Sequence, residues 1–422
     1  MSNTVPQGWR LQTIDEFAKT SAGGTPNTQV PEYWENGIIP WMSSGEVHKK
    51  RVNTVAQKIT ELGFQSSSAK LFPKGTILVA LAGQGKTRGT VAISEVELTT
   101  NQSIAGVIVK DKTVSPDYVY QNLDSRYEEL RAASGGSGRA GLNLAIIGEQ
   151  QVMLPPLPEQ QKIAAILSSV DEVIEKTRAQ TDKLKDLKTG MMQELLSKGI
   201  GHTEFKDSPV GQIPIGWEFD LVGNLFQIQL GKMLSKTAKI GKTPLPYLGN
   251  KNVQWGKVDT TDLETMDFSD RERNKFSLKF GDLLICEGGE VGRSAIWKGE
   301  IENCYYQKAI HRLRPVNAAY EPRLLLEYMR YAKARNLLAD FISQTSIAHL
   351  TKEKLAAVPV PVPPMVEQRQ IVELFTSIDT RIDTLTGKLQ KISNLKKALM
   401  QDLLTGKVRV KIEEKEKEPV VA

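Results

Sequence analysis

The chain has 422 residues, 40% of them apolar and 25% charged, the balance of an ordinary soluble globular protein of two to three domains. No signal sequence precedes Met1-Ser2-Asn3-Thr4 and no apolar run approaches the roughly 20 residues a membrane span needs, so a cytoplasmic protein without membrane contact is expected. Cys286 and Cys304 are too few for a disulfide framework, four scattered histidines lack zinc spacing, and a net charge of +6 leans only slightly toward a polyanionic partner.

Taken in chain order, the elements recur. Pro6-Gln7-Gly8-Trp9 returns 208 positions later as Pro214-Ile215-Gly216-Trp217, and Pro155-Pro156 with Glu159-Gln160 returns at the same spacing as Pro363-Pro364 with Glu367-Gln368. Between these anchors the spacing drifts to 206 at Lys74-Gly75 against Phe280-Gly281 and to 205 at Gln102 against Gln307, then is 208 again at Leu142 and Leu350. A fixed frame around divergent inserts predicts one scaffold presenting two different binding surfaces, with the pseudo-twofold character of a homodimer. Duplex DNA is the commonest ligand with two similar halves.

The first insert predicts strands over 76–81, 89–94 and 104–109 and a helix near 117–131. The second repeats that order with strands over 283–286, 293–297 and 309–313 and a helix over 322–340. Each insert is followed by a proline run, 154–158 and 358–364, which favours extended polyproline geometry and predicts a stiff joint. After the first joint, Ile163, Val170, Thr177, Leu184 and Met191 recur every seven residues, with Ile166 or Leu167, Val173 or Ile174, Leu187 and Leu195 as a second line. After the second, Ile371, Ile378, Leu385, Ile392 and Leu399 recur, with Leu374, Ile382, Leu389, Leu395 and Leu403 beside them. Neither helix can bury its stripe alone, so the two are expected to pair as an antiparallel coiled coil.

Candidate DNA contacts lie on strand edges and loops: Lys49, Lys50, Arg51, Lys86, Arg88 and Arg139 in the first insert, and Lys232, Lys236, Lys242, Asn250, Lys251, Asn252 and Arg293 in the second. Arg and Lys suit guanine or phosphate, and Asn suits adenine. No catalytic residue, metal site or cofactor loop is expected. Residues 80–87 end like a phosphate-binding loop, but Ala80 replaces its first glycine and Thr90-Val91-Ala92-Ile93 favours strand where that motif needs a helix.

Several motifs together resemble the specificity subunits of type I restriction-modification systems along nearly the whole chain. They are Gly23-Gly24-Thr25-Pro26, Glu32-Tyr33-Trp34, Ile39-Pro40-Trp41, Asn101-Gln102 and Leu154-Pro155-Pro156-Leu157-Pro158-Glu159-Gln160 in the first half. In the second half they are Tyr247-Leu248, Asn252-Val253-Gln254-Trp255-Gly256, Gly281-Asp282-Leu283-Leu284, Glu287-Gly288-Gly289, Gln307 and Pro363-Pro364 with Glu367-Gln368. Lys251 departs from a loop that is often richer in Arg. The resemblance implies an α+β fold: two tandem mixed α/β target recognition domains separated by the two long helices. Its divisions are domain 1 over 1–153, joint and helix over 154–198, linker 199–212, domain 2 over 213–360, joint and helix over 361–405, and a charged tail 406–422. It further implies a non-catalytic reader of double-stranded DNA with a split site. Two methyltransferase subunits, which bind S-adenosylmethionine, would sit on the helices and methylate adenine, and two restriction subunits can join them. The competing expectation from the residues alone is a coiled-coil scaffold joining two protein-binding modules.

Overall fold

The computed structural model describes residues 5–83, 85–133, 142–235, 244–344 and 348–412. Two helices of 39 residues each, Leu157–Leu195 and Met365–Leu403, dominate the secondary structure. At 1.5 Å per residue each is ~58 Å long. The chain divides into two compact units, Met1–Arg178 with Gly387–Ala422, and Ala179–Thr386. Both borders fall inside the long helices, so each unit holds one mixed α/β domain, the beginning of one helix and the end of the other.

In the first unit a five-stranded sheet runs in the order Ala18–Ala22, Ile104–Val109, Ile77–Ala80, Val91–Ser94, Arg51–Val52. Its neighbours are antiparallel except for the last pair. The central strand Ile-Leu-Val-Ala is buried along its whole length, which explains its unbroken apolar sequence. Gly75 enters that strand from a turn at φ +84°, a conformation that L side chains rarely adopt. A second sheet of three short strands, Gln57–Ile59, Ile39–Met42 and Thr99–Thr100, escaped the sequence reading because strands this short carry little periodicity. Helix Pro116–Ser125 follows, capped by Ser115 and opened by Pro116.

The second unit repeats the plan. Its main sheet runs Phe226–Leu230, Ile310–Pro315, Leu283–Cys286, Ser294–Ile296, and its smaller sheet Glu264–Asp267, Pro244–Leu248, Tyr305–Tyr306. Gly281 repeats the turn of Gly75 at φ +87°. The helix here is Pro322–Ala334, shorter than expected, because Asn336 follows at φ +57° and ends the helical path. Cys286 and Cys304 are buried free thiols, and burial pushes their pKa values up to about 11 and about 12.

Two expectations are corrected. The second proline run is more than a joint, since Pro359–Val362 is a strand paired with Glu218–Leu221; in the first, only Leu154 belongs to a strand, Gln151–Leu154 paired with Arg10–Thr13, and Pro155 and Pro156 link it to the helix. Pro359 and Pro361 are tolerated because they alternate, so their missing N–H groups lie on the edge facing away from the partner strand. Likewise, the stretch read as a linker contains a hairpin, Phe205–Ser208 with Gly211–Pro214.

Candidate nucleic-acid interface and its helical frame

Each domain is pinned to its long helix by the glutamine of the repeated Glu-Gln pair. Gln160 Nε2 donates to the carbonyls of Pro155 (2.8 Å) and Thr113 (3.0 Å), while its Oε1 accepts from Ser115 N (2.8 Å). Gln368 repeats this with the carbonyls of Pro363 (2.9 Å) and Ala319 (3.3 Å) and with Glu321 N (2.9 Å). Both amides are almost fully buried, so their bonds fix the angle at which helix leaves domain. The adjoining glutamates differ. Glu159 takes Arg409 Nε and Nη2 at 2.7 Å each, whereas Glu367 takes Trp217 Nε1 at 2.8 Å, Ile200 N at 2.8 Å and His202 Nε2 at 3.0 Å.

Within each unit the two helix segments run antiparallel. In the first, Ile163, Ala164 and Leu167 share a core with Met400, Leu403 and Leu404; in the second, Ile371 and Phe375 share one with Met192 and Leu196. Of the expected stripe, Ile163, Ile371 and Leu385 are buried, and Val170, Leu184, Met191, Ile378, Ile392 and Leu399 are half-buried. The second line is corrected at three places. Leu187 is 52% exposed, Leu374 41% and Leu395 54%, because Lys188, Phe375 and Lys396, one residue on, turn inward instead.

Those lysines are paired charges at equivalent positions. Lys396 Nζ meets Asp171 at 2.6 Å and Asp124 at 3.4 Å, and Gln121 Nε2 donates to Asp171 at 2.9 Å. Lys188 Nζ meets Asp379 at 2.9 Å and Glu327 at 3.1 Å; Glu327 also meets Arg323 at 3.1 Å and Arg330 at 3.6 Å, and Arg323 binds Asp379. Lys188 and Lys396 stand 208 apart, as do Asp171 and Asp379, so the repeat spacing was a signal that could have found them. A buried polar pair on a helix seam sets register and orientation.

The candidate DNA contacts are placed unevenly. Arg51 binds Asp117 (2.5 Å), Glu95 and Ser168 Oγ (3.0 Å), tying sheet to helix, and Lys50 binds Asp124 at 2.5 Å. Lys49 is held by Glu46 at 2.7 Å. Lys86 is exposed on the hairpin after Ile77–Ala80, where the chain continues as strand Val91–Ser94, without the helix of a phosphate-binding loop. Arg88 beside it is half-buried, its Nε unpartnered among the described residues. Arg139, Lys236 and Lys242 lie outside the described residues. Lys232 is committed to Glu272 (2.8 Å) and the Asp267 carbonyl (2.7 Å). Asn252 is 3% exposed and fixes its own loop, accepting from Gly249 N and donating to the carbonyls of Asp259 and Asp262, which leaves no free donor for a base. Lys251 is exposed beside Asp262 at 2.6 Å.

Asn250 and Arg293 lie together. Arg293 Nη2 donates to the Asn250 carbonyl at 2.7 Å, and Asn250 Nδ2 donates to the Gly288 carbonyl at 2.9 Å. Gln307 joins them: a Cβ on Gly249 would stand 3.1 Å from its Nε2, and one on Gly289 2.8 Å from Asn250 Nδ2. Among the described residues, Asn250 Oδ1, Arg293 Nε and Gln307 Oε1 are buried without partners. This unmet hydrogen-bonding capacity makes the cluster a candidate for contact with a polar ligand, with Arg293 Nη1 also meeting Glu290 at 3.7 Å. In the first unit the counterpart Gln102 instead accepts Thr25 Oγ1 at 2.6 Å.

Comparison with known proteins gives the frame its context. Residues 6–186 and 214–394 each match the model of the type I restriction modification DNA specificity domain. The MjaVIII specificity subunit of a type I restriction enzyme from Methanocaldococcus jannaschii is 26% identical, over 96% of this chain and 94% of that one. The EcoKI specificity subunit of Escherichia coli strain K12 is 20% identical over 96% and 90%. Among solved structures, the type I restriction-modification S subunit from M. genitalium superposes with a TM-score of 0.61 at 16% identity, covering 96% of this chain and 98% of that one. A chain from a study of assembly and conformational transition in the type I R-M system gives 0.55 at 18%, covering 96% and 100%. Two matched domains filling most of the sequence, each with its helical segment, place this chain in the family of type I restriction-modification specificity subunits.

Proposed function

We propose that the chain is the non-catalytic DNA-reading subunit of a methyltransferase assembly, each unit reading one half of a split double-stranded site with unequal halves. The observation that carries this reading is the contrast within the repeat. Gln160 and Gln368 make matching hydrogen bonds, and Lys188 and Lys396 pair with the equivalent aspartates Asp379 and Asp171, while the loops differ down to the partners of Gln102 and Gln307. Asn250, Arg293 and Gln307 are the proposed readers of the second half, and exposed Lys86 with Arg88 the proposed cationic contacts of the first. Arg139, Lys236 and Lys242 remain proposed contacts by residue type alone. Coexpression with the neighbouring methyltransferase, followed by single-molecule mapping of methylated adenine, is expected to return two unlike half-sites separated by an unread gap. A continuous motif, or two identical inverted halves, would overturn it.

The long helices are the proposed seat of two methyltransferase subunits, which carry the S-adenosylmethionine; restriction subunits join the same assembly. Support comes from Leu187 and Leu395, equivalent leucines that are each more than half exposed on the outer helix faces. A duplicated apolar spot suits two copies of one partner. The L187E/L395E variant is expected to keep its melting temperature within about 2 °C, since exposed substitutions shift stability by roughly 0.5 kcal/mol or less. It is expected to lose the methyltransferase in copurification. Retention of two methyltransferase copies by the folded variant would move the docking surface elsewhere.

A further inference from the structure

The repeat contains its own control for a groove in the first unit. On the outer edge of the strand that precedes each long helix, side chains cap equivalent backbone carbonyls. Tyr118 Oη donates to the Met153 carbonyl at 2.7 Å and Tyr320 Oη to the Pro361 carbonyl at 3.1 Å. One position along, Arg126 Nη1 donates to the Gln151 carbonyl at 2.9 Å and Tyr328 Oη to the Pro359 carbonyl at 3.3 Å. In the second unit the helix fills this edge with two phenol rings, Tyr328 and Tyr331, whose centroids are 6.1 Å apart. The helices align at a spacing of 206, which puts Asn122 and Ser125 at those two positions in the first unit. The smaller side chains leave a groove of about 710 Å³, walled by Leu11, Met153 and Met400 and carrying Asn122, Arg126 and Lys397.

The polar groups in this groove are unfinished. Asn122 is 7% exposed, yet its Oδ1 has no partner among the described residues, and neither do Arg126 Nε and Nη2. Nε and Nη2 form one edge of the guanidinium, the same edge that Arg409 presents to both oxygens of Glu159. That edge matches a carboxylate in two parallel hydrogen bonds. Burial lowers the pKa of Arg126, opposed by the carboxylate of Glu129, which also lines the groove, and an anion on the unpartnered edge would add to that compensation. Leu11, which also lines the groove, is 45% exposed and offers it an apolar wall.

We propose that this groove is a docking site for a segment of a partner protein that presents an aromatic side chain next to a carboxylate. The ring takes the volume that Tyr328 and Tyr331 fill in the second unit, and the carboxylate closes on Arg126 with Lys397 nearby. In the second unit Tyr328 and Tyr331 occupy the equivalent edge, so one such site per chain is expected, unlike the duplicated leucine spot on the helices.

The minimal probe is N-acetyl-tyrosine titrated against the full chain by calorimetry or ligand-observed NMR. Binding is expected, and it should weaken about tenfold for N-acetyl-tyrosinamide and for R126Q, the loss of one charge-assisted bond pair. The N122Y/S125Y variant copies the second unit, fills the groove and should abolish binding; R126Q tests the same site without changing its volume. Equal binding of acid and amide, unchanged binding in folded N122Y/S125Y, or no binding of the probe would overturn the proposal. Benzoylphenylalanine at Lys397 tests the source of the ligand. A crosslinked partner peptide with an aromatic residue next to an acid, lost in N122Y/S125Y, is expected in the assembled complex; probe binding without any such crosslink would replace the protein partner with a small aromatic acid.

Discussion

A fragment ending near Gly211 is expected to form a homodimer and to direct methylation to an interrupted palindrome made from one half of the original site. The physical basis is that the second copy supplies nearly everything the missing half gave to the first unit. Met400, Leu403 and Leu404, which close the core against Ile163 and Leu167, have Met192, Leu195 and Leu196 as their counterparts at a spacing of 208. Lys396, which binds Asp171 and Asp124, has Lys188. Both buried lysine pairs of the intact chain therefore become one pair, Lys188 with Asp171 of the other copy, made twice. At the helix start, Glu159 loses Arg409, but the segment around Ile200 and His202 stands ready to bind it as it binds Glu367 in the intact chain. Trp9 Nε1, buried without a partner among the described residues, gains the acceptor that Trp217 already has. Light scattering checks the dimer, and methylation mapping with the partner enzyme checks the palindrome. A folded monomer would refute the pairing, and a non-palindromic site would refute one reader per half.

The second large effect is expected at Glu327. Its side chain is fully buried and gathers Lys188, Arg323 and Arg330; among the described residues the further acid of this cluster is Asp379, which meets Lys188 and Arg323. E327Q leaves three cations facing one carboxylate, and breaking a buried pair in this way costs about 3–5 kcal/mol. The first unit shows how the same place tolerates a glutamine. Gln121 stands there with Asp117 and Asp124 where the second unit has Arg323 and Arg330, and Lys50 and Arg51 complete the balance. Charge is therefore compensated inside each unit, and R330D is expected to recover part of the stability lost in E327Q. Thermal unfolding of the wild-type, single and double variants reads the cycle. A neutral E327Q, or a double variant worse than the sum of the singles, would show that the cluster does not couple reader and helices.

Much of the architecture was legible because it was written twice. Long helices were visible from their heptads, and the main-sheet strands Ile77–Ala80 and Leu283–Cys286 from short apolar runs behind a turn glycine. The seam was legible only to within one position. Leu187 and Lys188 are neighbours, and hydrophobicity alone assigns the leucine to the interior. The lysine wins because Asp379 and Glu327 wait for it there, two carboxylates from distant sequence that make burial of an amine tolerable. The same limit applies to the candidate readers. Residue type chose Asn252, Arg51 and Lys232 on equal terms with Asn250 and Arg293, and only the fold revealed that the first three are already occupied.

By itself, then, the sequence determined the duplication, the antiparallel helical frame and the family, because each depends on pattern and spacing that survive without coordinates. Tertiary structure decided which polar groups are spent inside the molecule and which are left unmet, at Asn250, Arg293 and Gln307 in one unit and at Asn122 and Arg126 in the other. That distinction cannot be read along the chain: a hydrogen bond is satisfied or orphaned by atoms about 3 Å away in space, here most often on another strand or helix.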